Sequence, residues 1–531
     1  MATGHEVVFV SSHDVLEKGK DVITRSPEGR YCCYQLKTGN ISVPVWRDIK
    51  GEIDELIEQP IEHPDVPDGS PFDSILVTNG TINSAVINRI ESLNRENPGR
   101  PRDLSSLSTI DINQLVRVFS SAQLAFLPVS LPDFHSYTSL LLVDGTSLLD
   151  PRPLAEIITK NLLTIEGCRG TRTELRRRLH ASLVVICNLL HRYGEAENHL
   201  ALIHGYTLAA SLVARFALGN KFPPRDWHPS IGMLVREAEK EAKLLLEEAE
   251  GSEHWLEGSV FGDGGEVRRA RITMVLGTLA GVDLVLRARD EDQISGPRLA
   301  VLVKDHLDDL FEWGESAIPY LVTTAMWLER HGLDGQAKSL LERTTRTVVE
   351  RNWLESTDPL PCSYHGVEDI LVNRYQMTLY PLDLGQFQGE SMTLAPLLSL
   401  CVRRGMRQLL EELWARLIDT DAWQFRPTNP LDYLTAFVED GVNISLRMPE
   451  QGSWKQLQEE AGKPSRLEGV LDGVGYLFYV LWLLVPQRFT WQTVALLDEA
   501  TDMPHSVRQK SEDAEDGSSG VSPNDEDHEG L

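Results

Sequence analysis

The sequence predicts an α/β domain at the N-terminus, a mixed sheet flanked by helices, followed by a large all-α region built as an irregular helical array. Three observations predict it. Short β-branched and aromatic runs are interleaved with amphipathic helical segments over the first 120 or so residues. Helical apolar periodicity then runs from Thr171 to about residue 500. No repeat of fixed length accompanies that periodicity, which argues against regular tetratricopeptide repeats.

The strand-like runs are 6–11 (EVVFVS), 21–24 (DVIT), 31–37 (YCCYQLK) and 74–78 (SILVT). Pro27-Glu28-Gly29 between the second and third reads as a hairpin turn. Residues 45–59 carry Trp46, Ile49, Ile53, Leu56 and Ile57 at helical spacing, and 83–94 carry Ala85, Val86, Ile90 and Leu93. The order of strands, helix, strand, helix implies a partly parallel sheet. Asp111 is placed to cap a short helix over 112–119. The α/β domain is therefore assigned to 1–120. A connecting region with Pro128, Pro132, Pro151 and Pro153 follows over 121–170.

From 171 to 500 the expected helices are 175–193, 197–218, 231–250, 267–287, 298–313, 317–331, 336–351, 392–403, 406–418 and 467–485. Gly332-Leu333-Asp334-Gly335 joins one pair as a helical hairpin, and several pairs suggest the stacking of an α-solenoid. This region is expected to sense, regulate or assemble. Residues 511–531 contain eight acids and no Lys or Arg, the composition of a disordered acidic tail.

Bulk properties narrow the function classes. The net charge of −28 repels phosphate, so any nucleic-acid contact must rely on a local basic patch or on metal ions. The six cysteines are scattered with no C-x-x-C pair, which excludes an obvious zinc cluster and fits a reducing cytoplasm. The most apolar run, 474–485, has 12 residues, too few to span a bilayer, so no membrane partner is expected.

The stretch with chemistry is Gly19-Lys20-Asp21, 13 residues, then Gln35-Leu36-Lys37. Hydrolysis of a phosphodiester needs a divalent metal, a ligand that holds it, and a cation near the attacking water or the phosphate. Asp21 opens one strand and can be the anchoring carboxylate. Gln35 and Lys37 are two apart on the next strand and share a face, with Leu36 expected to point the other way, into the core. Gln35 can offer its amide oxygen, Leu36 its main-chain carbonyl, and Lys37 a positive charge to water or phosphate.

These residues resemble the Asp…(Glu/Gln)-x-Lys signature of the PD-(D/E)xK superfamily, in its Mrr-like branch, where Gln often replaces the second acid. The helix after the motif and the strand 74–78, ending in Asn79-Gly80, are similar to that branch over roughly residues 4–119. The resemblance implies a restriction-endonuclease-like fold and an endonuclease using Mg²⁺ or Mn²⁺ on DNA or RNA, often in restriction or antiviral defence. It implies catalytic Asp21, Gln35 and Lys37, with Asp21, Gln35 and the Leu36 carbonyl as metal ligands. The family's helix before the first strand often supplies another acid; here 1–20 read as a strand and a turn, and the acids available are Glu6 and Asp14.

Elsewhere, Arg169, Arg172, Arg176, Arg177 and Arg178 place five guanidiniums at a helix start. They can bind phosphate, or form a charged face paired with the excess carboxylates. His191, His199 and His204 lack the i, i+4 spacing of a helical metal pair and read as ordinary histidines. The alternative function is a degenerate nuclease-like domain on a helical scaffold that binds a protein partner or a second copy of this chain.

Overall fold

The computed structural model describes residues 5–10, 19–95, 104–115, 137–165, 170–251, 265–288, 294, 296–374, 388–427, 429–434, 443–447, 454–463 and 478–502. The tail 511–531, most of the 112–119 helix, and Asp14, Cys168 and Arg169 lie outside them. The chain divides into two compact units: Met1–His135 with Asn161–Val185, and Ser136–Lys160 with Ile186–Leu531. Part of the segment read as a connector, from Asn161 on, thus groups with the N-terminal unit.

The first unit holds β1 (Glu6–Val10), β2 (Val22–Arg25), β3 (Tyr31–Lys37), α1 (Val43–Glu58), β4 (Phe72–Thr78), α2 (Ser84–Arg95) and β5 (Leu104–Ile110). The five strands form one sheet in that order. β1, β2 and β3 are antiparallel neighbours, while β3, β4 and β5 run parallel, so the sheet is mixed. The β2–β3 turn closes where expected, with Gly29 at φ 87° and Ser26 donating to the Arg30 carbonyl at 2.7 Å.

α1 forms because its apolar positions recur at helical spacing: Trp46, Ile49, Ile53, Leu56 and Ile57 are buried against the sheet. They meet Ile23, Tyr31, Cys33, Phe72 and Leu76, with Val86 and Ile90 of α2 in the same core. The α1-facing positions of β4 are Phe72, Ser74, Leu76 and Thr78. Two crossovers meet tightly at the strand ends, where a Cβ on Gly80 would lie 2.3 Å from the Gly39 carbonyl. Only glycine fits there.

The second unit is mostly helical. Its chain runs through α3 (Pro151–Glu156), the end of α4 (Arg172–Glu195), α5 (His199–Gly219), α6 (His228–Gly251), α7 (Gly265–Ala288), α8 (Gly296–His306), α9 (Ile318–Arg330), α10 (Asp334–Asn352) and α11 (Val367–Arg374). There follow β6 (Glu390–Ser391), α12 (Leu394–Arg403), α13 (Arg407–Leu417), β7 (Asp421–Phe425), β8 (Asn443–Arg447), α14 (Trp454–Ala461), α15 (Phe478–Leu484) and α16 (Trp491–Asp502).

Two features depart from the sequence reading. β6, β7 and β8 form a three-stranded sheet inside the region expected to be wholly helical. Strands of two to five residues are too short to carry a periodic signal. The arrangement is also layered rather than solenoid-like, because α5 is buried almost all round. α5 is long and apolar enough to cross a membrane, and 89% of its apolar window is buried within the fold. α7 packs on α9 and α15. A Cβ on Gly277 would lie 2.7 Å from the Tyr320 Cβ, so the glycine lets α9 approach closely.

Candidate functional site

The first unit gathers polar side chains where β2 begins and β3 ends, beside α1. Asp21 precedes β2, and its backbone N–H donates to the Tyr34 carbonyl at 2.8 Å, which sets the carboxylate opposite the end of β3. The Asp21 Oδ2 accepts from the Leu36 backbone N–H at 2.6 Å and from Gln35 Nε2 at 3.0 Å. Gln35 Nε2 also donates to Glu52 Oε2 at 3.1 Å. The Lys37 ammonium donates to the same Glu52 oxygen. Asp21, Gln35 and Lys37 are therefore brought into one connected cluster, and the residue that joins them is Glu52 of α1.

Glu52 is absent from the sequence reading, which left Asp21 as the sole well-placed acid. A signal was available. Glu52 lies three residues after Ile49 and directly before Ile53, on the border of the stripe that α1 buries. A carboxylate there, 45% exposed at its side chain, sits at the edge of the covered face and can reach β3 while still meeting solvent. Gly19 supplies the other half of the placement. It adopts φ 71°, and a Cβ would fall 2.7 Å from the Glu52 carbonyl and 2.9 Å from Leu56 N. Glycine thus lets the segment before Asp21 lie against the turn of α1 that carries Glu52.

Leu36 needs correction. Its side chain is 47% exposed rather than in the core. The covered face of β3 is the one with Tyr31, Cys33 and Gln35, because α1 lies over it. Gln35 is only 4% exposed, so the site begins under the helix. The Leu36 carbonyl lies on the same strand edge as its N–H, towards Asp21. Of the acids proposed from the segment before Asp21, Asp14 and the Glu6 side chain lie outside the described residues.

Lys20 has a structural task. It is 2% exposed, donates to the Gln59 carbonyl at the C-cap of α1 at 2.8 Å, and lies 5.2 Å from the Phe72 ring centroid. A cation at a helix C-terminus is favourable there.

The electrostatics of the cluster have one telling feature. Gln35 Oε1 is buried and has no hydrogen-bond partner, while its Nε2 bridges two carboxylates. The amide N–H₂ occupies the position between two anions that a cation would take. Rotating the amide by 180° would turn Oε1 to that position. Asp21, Glu52, the Gln35 amide oxygen and the Leu36 carbonyl are then four oxygen donors. Such a set suits a hard ion that keeps part of its water shell, as Mg²⁺ does with one or two carboxylates. It does not suit zinc, and among the described residues no three His, Cys, Asp or Glu converge.

Of the five arginines, four lie within the described residues. Arg172, Arg176, Arg177 and Arg178 lie in the first turns of α4. Arg178 donates through Nε to the Leu162 carbonyl at 2.7 Å, so it holds backbone rather than a free anion. Thr171 and Glu174 close a reciprocal capping box at the helix start, with Thr171 N donating to Glu174 Oε2 at 2.7 Å and Glu174 N to Thr171 Oγ1 at 3.3 Å.

Comparison of the chain with protein-family models, with characterised proteins and with solved structures finds no match in any of the three.

Proposed function

We propose that the N-terminal unit is a metal-dependent endonuclease of the PD-(D/E)xK type, acting on DNA or RNA in the cytoplasm as a restriction or antiviral effector. The observation that carries this reading is the buried Gln35 amide between Asp21 and Glu52, with Lys37 on the same carboxylate. Asp21, Glu52, Gln35 and the Leu36 carbonyl would hold Mg²⁺ or Mn²⁺. When bound, such an ion activates water and neutralises the scissile phosphate. Lys37, 22% exposed at its side chain, reaches the open side of the cluster. Its ammonium orients a water and offsets charge that grows on the phosphate. Glu52 holds Lys37 in place; were Glu52 to ligate the ion, the ammonium would be free to face substrate.

A second reading has one observation in its favour. Apart from Gln35 Oε1, the four side chains satisfy one another, as they would in a degenerate site that merely closes the sheet edge on a protein-binding scaffold.

Cleavage assays on the full chain separate the two. Wild type is expected to cut nucleic acid only with Mg²⁺ or Mn²⁺. Lys37→Ala should slow cutting about 10²–10³-fold, comparable to the loss of one preorganised electrostatic partner. Asp21→Ala and Glu52→Ala should remove both activity and divalent-ion binding measured by calorimetry. Wild type that binds no divalent ion and cuts nothing would establish the scaffold reading. Cutting unaffected by all three substitutions would place the chemistry elsewhere.

A further inference from the structure

The helical unit contains a second concentration of chemistry, and it starts from Trp313-Gly314-Glu315-Ser316. A Cβ on Gly314 would fall 2.9 Å from Ile370 Cδ1 and 3.0 Å from the Pro361 carbonyl, so the chain passes there only as glycine. Glu315 N donates to that carbonyl at 2.8 Å, and the trajectory turns the Glu315 side chain inward. The residue is 1% exposed.

Its carboxylate accepts from Asn352 Nδ2 at 2.9 Å, from Met392 N at 3.2 Å and from Thr393 Oγ1 at 3.3 Å, and it also accepts from the Ser391 hydroxyl. Every one of these donors is neutral, and among the described residues no Lys, Arg or His pairs with it. Burial pushes the carboxyl above its ordinary range, against the pull of the four donors. A buried carboxylate without a counter-cation is costly, and such a group beside a cavity is a candidate binding site.

A cavity does adjoin it, with a volume of about 140 Å³. Glu315 and a second carboxylate, Glu390, are in its wall, with the rings of Tyr364 and Trp423 and the sulfur side chains of Met392 and Cys362. Tyr364 is 53% exposed and marks the mouth. A cavity of about this size accommodates a benzene-sized guest. Burial, together with the nearby Glu315 charge, pushes the Cys362 thiol up, which makes it a poor nucleophile. Aromatic and sulfur walls also exclude the oxygen shell that Mg²⁺ or Ca²⁺ requires.

We propose that this cavity binds a small organic cation, an alkylated ammonium of roughly benzene size, with Glu315 and Glu390 as counter-charges and Tyr364 and Trp423 as its aromatic walls. A cation over an aromatic face gains most when partly desolvated, and Trp and Tyr are the rings that favour it. The alkyl groups fill the apolar wall, and the charge supplies what the Glu315 pocket lacks. This inference is independent of the nuclease reading, since it involves neither nucleic acid nor a divalent ion.

The test uses the full chain and tetramethylammonium chloride as the probe, in calorimetric titrations at constant ionic strength. The comparator is tert-butanol, of similar shape and no charge. The cation is expected to bind saturably at one site per chain and the alcohol not to bind. Tyr364→Ala at the mouth and Glu390→Gln in the partly exposed wall should each weaken binding by about tenfold with little change in melting temperature. Glu315→Gln should abolish binding; if that variant fails to fold, the other two variants carry the test. Equal binding of cation and alcohol overturns the proposal, as does no saturable binding to wild type, or binding that neither of those two variants weakens. Displacement of the probe by Mg²⁺ at equal ionic strength would mark an inorganic-ion site and overturn it too.

Discussion

Gln35 shows how a single side chain records the demand of its surroundings. Its amide is the only neutral member of a cluster that contains Asp21, Glu52 and Lys37, and it alone has a buried atom without a partner. The resemblance to the Asp…(Glu/Gln)-x-Lys signature leads to the expectation that Gln35→Glu is tolerated or even activating. The structure changes that expectation. A third carboxylate at a position 4% exposed would face Asp21 and Glu52 with no donor between them. In EDTA, Gln35→Glu should therefore destabilise the protein by about 1–3 kcal/mol, from like-charge repulsion and the lost amide donors. Divalent ion should restore more stability to the variant than to wild type, because binding stabilises the native state by mass action. Melting temperatures in EDTA and in Mg²⁺ measure both effects. An unchanged melting temperature in EDTA would show that the amide does not bridge the two acids.

At the scale of elements, α5 organises the helical unit. It buries residues on every side, so a titratable group in its most covered stretch is cut off from water. His204 is that group: it is 3% exposed, and its Nε2 lies 3.1 Å from Thr278 Oγ1 of α7. Burial lowers its pKa from 6.5 to about 3. The folded protein keeps the imidazole neutral while the unfolded chain protonates it near its ordinary value. Between about pH 3 and 6.5 the unfolded state thus binds the extra proton, and stability falls as the pH falls through that window. From pH 6.5 to 5.5 this one group should cost about 1 kcal/mol, approaching about 1.4 kcal/mol per unit further down. His204→Gln keeps a hydrogen-bonding side chain and removes the titration. Urea unfolding at the two pH values should show a shallower dependence in the variant by that amount; identical slopes would mean that His204 is not held neutral.

α9, α12 and α16 are tied by charge in a similar way. Arg404 pairs with both Glu329 and Asp498, and Arg330 reaches Asp498 at 2.9 Å. Burial alone would raise the Asp498 carboxyl, but the Arg404 hydrogen bond and the neighbouring guanidiniums leave it below its ordinary value. These ion pairs tie the ends of the three helices together in addition to their apolar packing.

For the whole molecule, charge is the governing quantity. With a net charge of −28, long-range attraction to nucleic acid is absent, and the arginines of α4 do not reverse it. Nucleic-acid binding under the proposed function must then depend on the divalent ion. Lys37→Ala, which should bind without cutting efficiently, is expected to retain labelled DNA on a filter in Mg²⁺ and to release it in EDTA at roughly 150 mM salt. Retention in EDTA would point to a basic surface that does not involve the Asp21 cluster.

Much of this was legible in one chain of letters. Hairpin, alternating strands and two amphipathic helices together predict the mixed sheet, because a strand's period of two and a helix's period of 3.6 are local properties. The same locality made Asp21, Gln35 and Lys37 visible, since two of them share a strand face by spacing alone. Helix ends in the second unit, such as Asp334–Asn352 against an expected 336–351, follow from the same periodicity. What only the tertiary structure decided is whatever depends on which surface meets which. Glu52 joins the cluster because α1 crosses β3 at one particular turn, and no spacing in the sequence encodes that crossing. Leu36 is exposed and Gln35 buried because the helix covers one face of the strand rather than the other, a choice that alternation leaves open. β6, β7 and β8 exist because separated short segments pair across the fold, and the burial of α5 on every side reflects neighbours drawn from distant parts of the chain.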